Sequence, residues 1–148
     1  MKHLKVDPIK EGTVIDHIPA NRALQVINII NPDKEDIVTV GINFSSKKFG
    51  RKDIVKIEGR ELSPGVVNSI ALVAPHANVI IIRDYEVVNK RLVQIPDEIY
   101  KSVICGNPKC VSNAEKMETH FITVSRNPVM LRCHYCERVF HIDELRVE

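Results

Sequence analysis

The chain has 148 residues, room for one domain or two small ones. A hydrophobic fraction of 44%, a charged fraction of 27% and a net charge of +2 are ordinary and give no argument for nucleic acid. Aromatics at 5%, with no tryptophan, argue against base stacking as the main task.

Residues 1–10 carry three lysines and little periodicity, and read as an arm. Residues 12–18 form a short β-branched strand, ended by Pro19. Ala23, Val26, Ile27 and Ile30 fall at helical spacing, which predicts a helix over 20–30 stopped by Asn31-Pro32. Val38, Val40, Ile42 and Phe44 alternate along a strand over 37–44, followed by a polar, basic loop to residue 51. A strand over 53–58 comes next. Ser63 and Pro64 then supply an N-cap and a first-turn proline to a helix buried through Val66, Val67, Ile70, Ala71 and Ala74. Residues 78–83 are a nearly continuous apolar strand, and 85–93 supply one more.

Strand, helix, strand, strand, helix, strand, with an extra strand, is the split βαβ order of a ferredoxin-like α/β sandwich. Both helices would cover one sheet face and leave the other open. Residues 94–98, with a proline and charges, read as a connection between a domain over 1–96 and a second over 97–148. The fold class is therefore α+β. The second piece is too short to close a large core without a staple. Val103-Ile104 leads into the first cysteine pair, and strands are expected at 120–125, 129–132 and 139–145, with a turn at Asn127-Pro128.

The staple is visible. All four cysteines lie in the last third, as a C-x4-C pair, Cys105 and Cys110, and a C-x2-C pair, Cys133 and Cys136. Each pair offers two sulfurs on one turn, and two turns make a tetrahedral thiolate cage for one structural Zn2+ in a small zinc-ribbon or rubredoxin-like unit. A closed tetrahedron leaves no position for substrate. Iron is the competing metal, and His134 or His141 is an alternative ligand. Two disulfides would need an oxidising compartment. The N-terminus MKHLKVDPIK has no apolar signal-like stretch, and no run approaches the roughly 18 apolar residues of a membrane span. A reduced, cytoplasmic chain with no membrane association is the expectation. Residues 101–148 hold seven basic and six acidic side chains, which favours protein contact over a nucleic-acid-binding ribbon.

In the first domain, six basic residues between Lys47 and Arg60 face only Asp53 and Glu58. Lys52 and Lys56 share one face of a strand, which suits either a phosphate site or a solvated edge. The six glycines are scattered, so no Walker or Rossmann loop is present. Asp16 and His17 are adjacent on a strand, so their side chains should point to opposite faces.

Several motifs in order and at matching spacing resemble the regulatory chain of aspartate carbamoyltransferase: GTVIDHIPA at 12–20, GRKD at 50–53 with KIE at 56–58, YEVV at 85–88 with Lys90, and the four cysteines. The resemblance covers nearly the whole chain. It implies a non-catalytic subunit with a nucleotide-binding allosteric domain at 1–96 and a zinc domain at 97–148 that docks on the catalytic chain. It implies CTP, ATP and UTP as effectors, and regulatory homodimers that tie catalytic trimers together in pyrimidine biosynthesis. Carried over by position, Lys90 and His17 meet the triphosphate, Lys52 and Lys56 lie near sugar and phosphates, and Asp16 stands beside them. Tyr85, Ile82 and Val87 match the base pocket, and Val6, Asp7 and Ile9 match an arm that closes over the nucleotide. Asn107 and Glu137 match positions facing the catalytic chain. Ile80 departs from an asparagine near the base, which bears on base discrimination, and Lys109 departs from a polar amide. The alternative class is an RRM-like nucleic-acid-binding protein with a zinc ribbon, but the RNP signature is absent.

Overall fold

The computed structural model describes residues 9–47 and 50–148. The first domain runs β1 (Gly12–Pro19), α1 (Ala23–Ile30), β2 (Val38–Ser46), β3 (Gly50–Glu58), α2 (Pro64–Val73), β4 (Asn78–Arg83) and β5 (Glu86–Leu92). Its antiparallel sheet has the order β2-β3-β1-β4-β5, the ferredoxin-like arrangement with β5 added beside β4. β3 shows why one face is covered. Asp53, Val55 and Ile57 are buried, while Lys52, Ile54, Lys56 and Glu58 alternate with them on the opposite face. Val55 and Ile57 join Ile15, Val79, Val26 and Ile30 of α1 and Val67, Ile70 and Ala71 of α2 in one core.

The helix ends explain two boundaries. α1 begins at Ala23, three residues later than the expected start at residue 20, and Arg22 at its N-cap gives the helix no capping side-chain hydrogen bond. A tertiary partner takes over: Asp53 Oδ2 accepts the Ala23 N–H at 3.0 Å. Asn31, at φ 52°, closes the other end, and its N–H donates to the Ile27 carbonyl. Ser63 caps α2 as expected, accepting the Val66 N–H at 3.3 Å, with Pro64 in the first turn. The basic loop is shorter than the sequence reading, because β2 continues to Ser46 and β3 starts at Gly50. β2 does not keep its alternation. Its pairing with β3 slips between Gly41 and Phe44, where Asn43 takes φ 64°, and Ile42 is left exposed.

The second domain contains β6 (Glu98–Tyr100), β7 (Val103–Ile104), α3 (Val111–Ala114), β8 (His120–Arg126), β9 (Val129–Cys133), β10 (Val139–His141), a 3-10 turn (Ile142–Glu144) and β11 (Arg146–Val147). β10-β9-β8-β6 form one sheet, and β11 pairs with β7. The expected strand over 139–145 is thus broken. His141 accepts the Asp143 N–H and Glu144 reaches back to the His141 N–H, a capping box that turns the chain.

The connection between the domains is fastened. Thr123 donates through Oγ1 to the Pro96 carbonyl at 2.7 Å and through its N–H to Asp97 at 2.8 Å. Arg126 donates to the Ile95 carbonyl and pairs with Asp97. Leu72 of α2 is fully buried, but in the second domain's core, and Ile95 and Val147 touch both cores. Arg22 donates to the Val73 carbonyl at 3.0 Å and to Asp143 Oδ1 of the second domain at 2.9 Å. Beside it lies an interdomain cleft of about 310 Å³ between Gln25, Asn28 and Ile29 of α1 and residues 142–147. Among the described residues, no helix is long and apolar enough to cross a membrane.

Candidate functional site

Strand register places the carried-over positions. Across the open face, Lys56 of β3 pairs with Val14 of β1, Val14 with Ile80 of β4, and Ile80 with Lys90 of β5. Directly paired residues share a face, so two lysines flank an apolar floor of Val14 and Ile80. The next row on this face runs Glu58, Gly12, Ile82 and Val87. Gly12 is required there: at φ 142°, a Cβ would lie 2.1 Å from the Ile57 carbonyl oxygen. Lys56 and Lys90 stand three strand spacings apart, about 14 Å. One phosphate cannot span that distance, whereas a ligand of nucleotide length can.

At the other end of this face, Lys52 Nζ lies 2.8 Å from Asp16 Oδ1, which also accepts the His17 N–H at 2.8 Å. Burial pushes the Asp16 carboxyl up, but the hydrogen bonds from Lys52 and the His17 backbone, with the charge of Lys52, outweigh it and hold it below the ordinary value of 3.8. The expected split of Asp16 and His17 across the sheet does not occur. Ile15 pairs with Val55 and Ile18 with Asp53, so Asp16 and His17 stand together opposite Ile54. This bulge puts His17 at φ 59° and its Nδ1 3.8 Å from Asp16 Oδ2. Tyr85 sits exposed in the β4–β5 turn at φ 65°, and its N–H donates to the Lys10 carbonyl at 3.0 Å. That bond brings the chain next to buried Ile9 against the turn. Val6 and Asp7 lie outside the described residues.

In the second domain, the four cysteine sulfurs all lie within 4.8 Å of one another. Cys105 Sγ is 3.7 Å from Cys136 Sγ, and Cys110 Sγ is 3.7 Å from Cys133 Sγ. A disulfide requires about 2.0 Å. A tetrahedral metal with bonds of about 2.3 Å sets its sulfurs about 3.8 Å apart, so the residues fit one zinc ion. Burial pushes the Cys105 and Cys133 thiols up, with neighbouring sulfurs adding to it. Burial also opposes ionisation at Cys110, but the Ser112 hydroxyl at 3.1 Å and the Ser112 N–H pull it down to about 7. A bound cation supplies the charge that lets the four sulfurs ionise together. His134 is not in the cage: its ring packs at 4.5 Å from His120 and 5.2 Å from Tyr135. His141 caps the 3-10 turn instead. Asn107 is half-buried, and its N–H points to Cys105 Sγ at 3.5 Å while its Oδ1 accepts the Lys109 N–H at 3.1 Å. Glu137 is exposed at φ 62° just after the second cysteine pair.

Both halves match known family profiles. The aspartate carbamoyltransferase regulatory chain, allosteric domain, matches residues 4–94, and the metal binding domain of the same chain matches residues 97–146. The chain belongs to the aspartate carbamoyltransferase regulatory chain family. It is 54% identical to the regulatory chain of Pyrococcus abyssi over 148 residues, covering 98% of this chain and 97% of that one. It is 51% identical to that of Methanothermobacter thermautotrophicus over 144 residues, covering 96% and 92%. The regulatory chain of Thermococcus sibiricus is 50% identical over 138 residues, covering 93% and 92%.

Three residues that shape this regulatory chain were missed by sequence reasoning. Asp53 is fully buried, accepting the Ala23 N–H and, at 2.8 Å, the Asn43 N–H. Its signal was an acid at a core-facing position of β3. Arg22 and Asn78 carried no such signal, because their partners come from distant segments.

Proposed function

We propose that this chain is the non-catalytic regulatory subunit of a cytoplasmic aspartate carbamoyltransferase. CTP, ATP and UTP bind the open face of the allosteric domain, residues 1–96, as effectors. The zinc domain, residues 97–148, docks on the catalytic chain through the surface that includes Asn107 and Glu137. Regulatory homodimers tie catalytic trimers into one assembly.

The observation that carries this reading is the row Lys56, Val14, Ile80, Lys90, with the Lys52–Asp16 pair at one end of the same face. An apolar floor suits a base and sugar, and cations on both sides suit a polyphosphate. Tyr85, Ile82 and Val87 gather at the end where Lys10 approaches, as a base pocket beneath the arm of Val6, Asp7 and Ile9 requires. His17 and Lys90 are assigned to the triphosphate, and Lys52 and Lys56 to sugar and phosphates. Ile80 at the centre of the floor gives the base a surface without an amide, so discrimination between bases must come from the rim.

The test is calorimetric titration of the zinc-loaded protein with CTP. Lys90→Ala removes a charge-assisted contact of about 1.5–3 kcal/mol and should weaken binding about 10- to 100-fold. Unchanged affinity would remove Lys90 from the site, and failure of the native protein to bind any nucleotide would overturn the reading.

A further inference from the structure

The imidazole of His17 is held by a residue that neither the motifs nor the lysine row includes. β4 pairs with β1 as far as Asp16 opposite Asn78, where the β1 bulge begins. Asn78 Nδ2 there lies 2.9 Å from His17 Nδ1. An amide NH2 group only donates, so it needs a lone pair on the ring nitrogen it meets. Asp16 Oδ2 is the competing neighbour, at 3.8 Å from the same nitrogen and outside hydrogen-bond range. Lys52 Nζ and the His17 N–H both engage the other Asp16 oxygen. Asp16 is therefore committed to Lys52 and the backbone, and Nδ1 of the His17 ring to Asn78.

We infer that Asn78 is a positioning residue of the effector site: it holds His17 as the Nε2–H tautomer and fixes the ring plane, so that the imidazole offers an N–H donor to an anionic group. The inference rests on the nucleotide reading above and adds a residue to it. The mechanism is local. His17 sits at φ 59°, where the bulge rather than a rotamer choice aims the side chain. The hydrogen bond from Asn78 to Nδ1 restrains rotation of that ring about its Cβ–Cγ bond. Donation to Nδ1 leaves the proton on the opposite nitrogen.

Ring-nitrogen NMR of the zinc-loaded full chain with labelled histidine tests the assignment, using His17→Gln to identify the signal. The native protein should show the Nε2–H form at His17. Asn78→Leu should give a mixture of tautomers and bind CTP and inorganic tripolyphosphate about fivefold more weakly, the size of one hydrogen bond. Asn78→Thr, whose hydroxyl can donate to the same nitrogen, should restore both. An Nδ1–H signal in the native protein, or Asn78→Leu with unchanged tautomer and affinity, overturns the inference. Native protein that shows the Nε2–H form yet binds neither CTP nor tripolyphosphate overturns the effector reading instead.

Discussion

At the residue scale, two carboxylates with opposite surroundings divide the work at one end of the β1–β3 pair. Asp53 is sealed from solvent and spends both oxygens on backbone N–H groups, one at the start of α1 and one at the β2 bulge. Asp53→Ala would leave two buried donors unpaired at about 1–3 kcal/mol each, so a fall of about 2–6 kcal/mol in urea-unfolding free energy is expected. A change below about 0.5 kcal/mol would show that water replaces the carboxylate. Asp16 is instead half-buried and holds Lys52. Its folded value lies below 3.8, so its contribution to stability is present above the unfolded value and lost as pH falls through the folded one. Lys52→Met should therefore shrink the difference in unfolding free energy between pH 7 and pH 3. Comparing variant with native protein cancels the acid sensitivity of the metal site. An unchanged difference would show that Lys52 does not set the Asp16 titration.

At the element scale, most of the first domain was legible because its segments obey one period each. The Ser63-Pro64 start of α2 and the alternation of β3 are local signals and came out as read, and the apolar face of α1 did so except that Ile29 is buried and Ile27 only half-buried. The same sequence hides its bulges. Asp16-His17 and the stretch around Asn43 look like regular strand, since slippage depends on the partner strand and not on the bulged residues. The difference bears on the proposed site: a regular strand would split Asp16 from His17, whereas the bulge sets Asp16 against Lys52 and His17 against Asn78. In the second domain the cysteine spacing was sufficient for the cage. The short α3 and the 3-10 turn were not legible, because they arise from chain reversals around the cage and from the His141–Glu144 capping box.

At the scale of the whole molecule, the two domains share more than a linker. Leu72 leaves its own domain's core for the other, Arg22 reaches from the β1–α1 turn to Asp143, and residues 95–97 are bonded to β8. Arg22 is five residues from His17, so a change at the bulge has a short covalent route to the zinc domain. In the proposed reading, the metal holds together the domain that receives it. Its core includes Cys105, Cys110 and Cys133 beside Phe121 and Leu131, so losing the ion removes the centre of the cluster. Chelation of zinc, or Cys133→Ala, should release free, active catalytic trimers in sedimentation velocity runs. Persistence of the full assembly without metal would contradict a docking role.

In the proposed function, effector binding on the open face is linked to the state of a catalytic chain elsewhere. Linkage is reciprocal, and such couplings are typically about 1–3 kcal/mol. The decisive measurement is CTP affinity of the reconstituted holoenzyme with and without a bisubstrate analogue on the catalytic chains. A shift of about 5- to 150-fold in the dissociation constant is expected. Equal affinity in the two conditions would rule out that linkage.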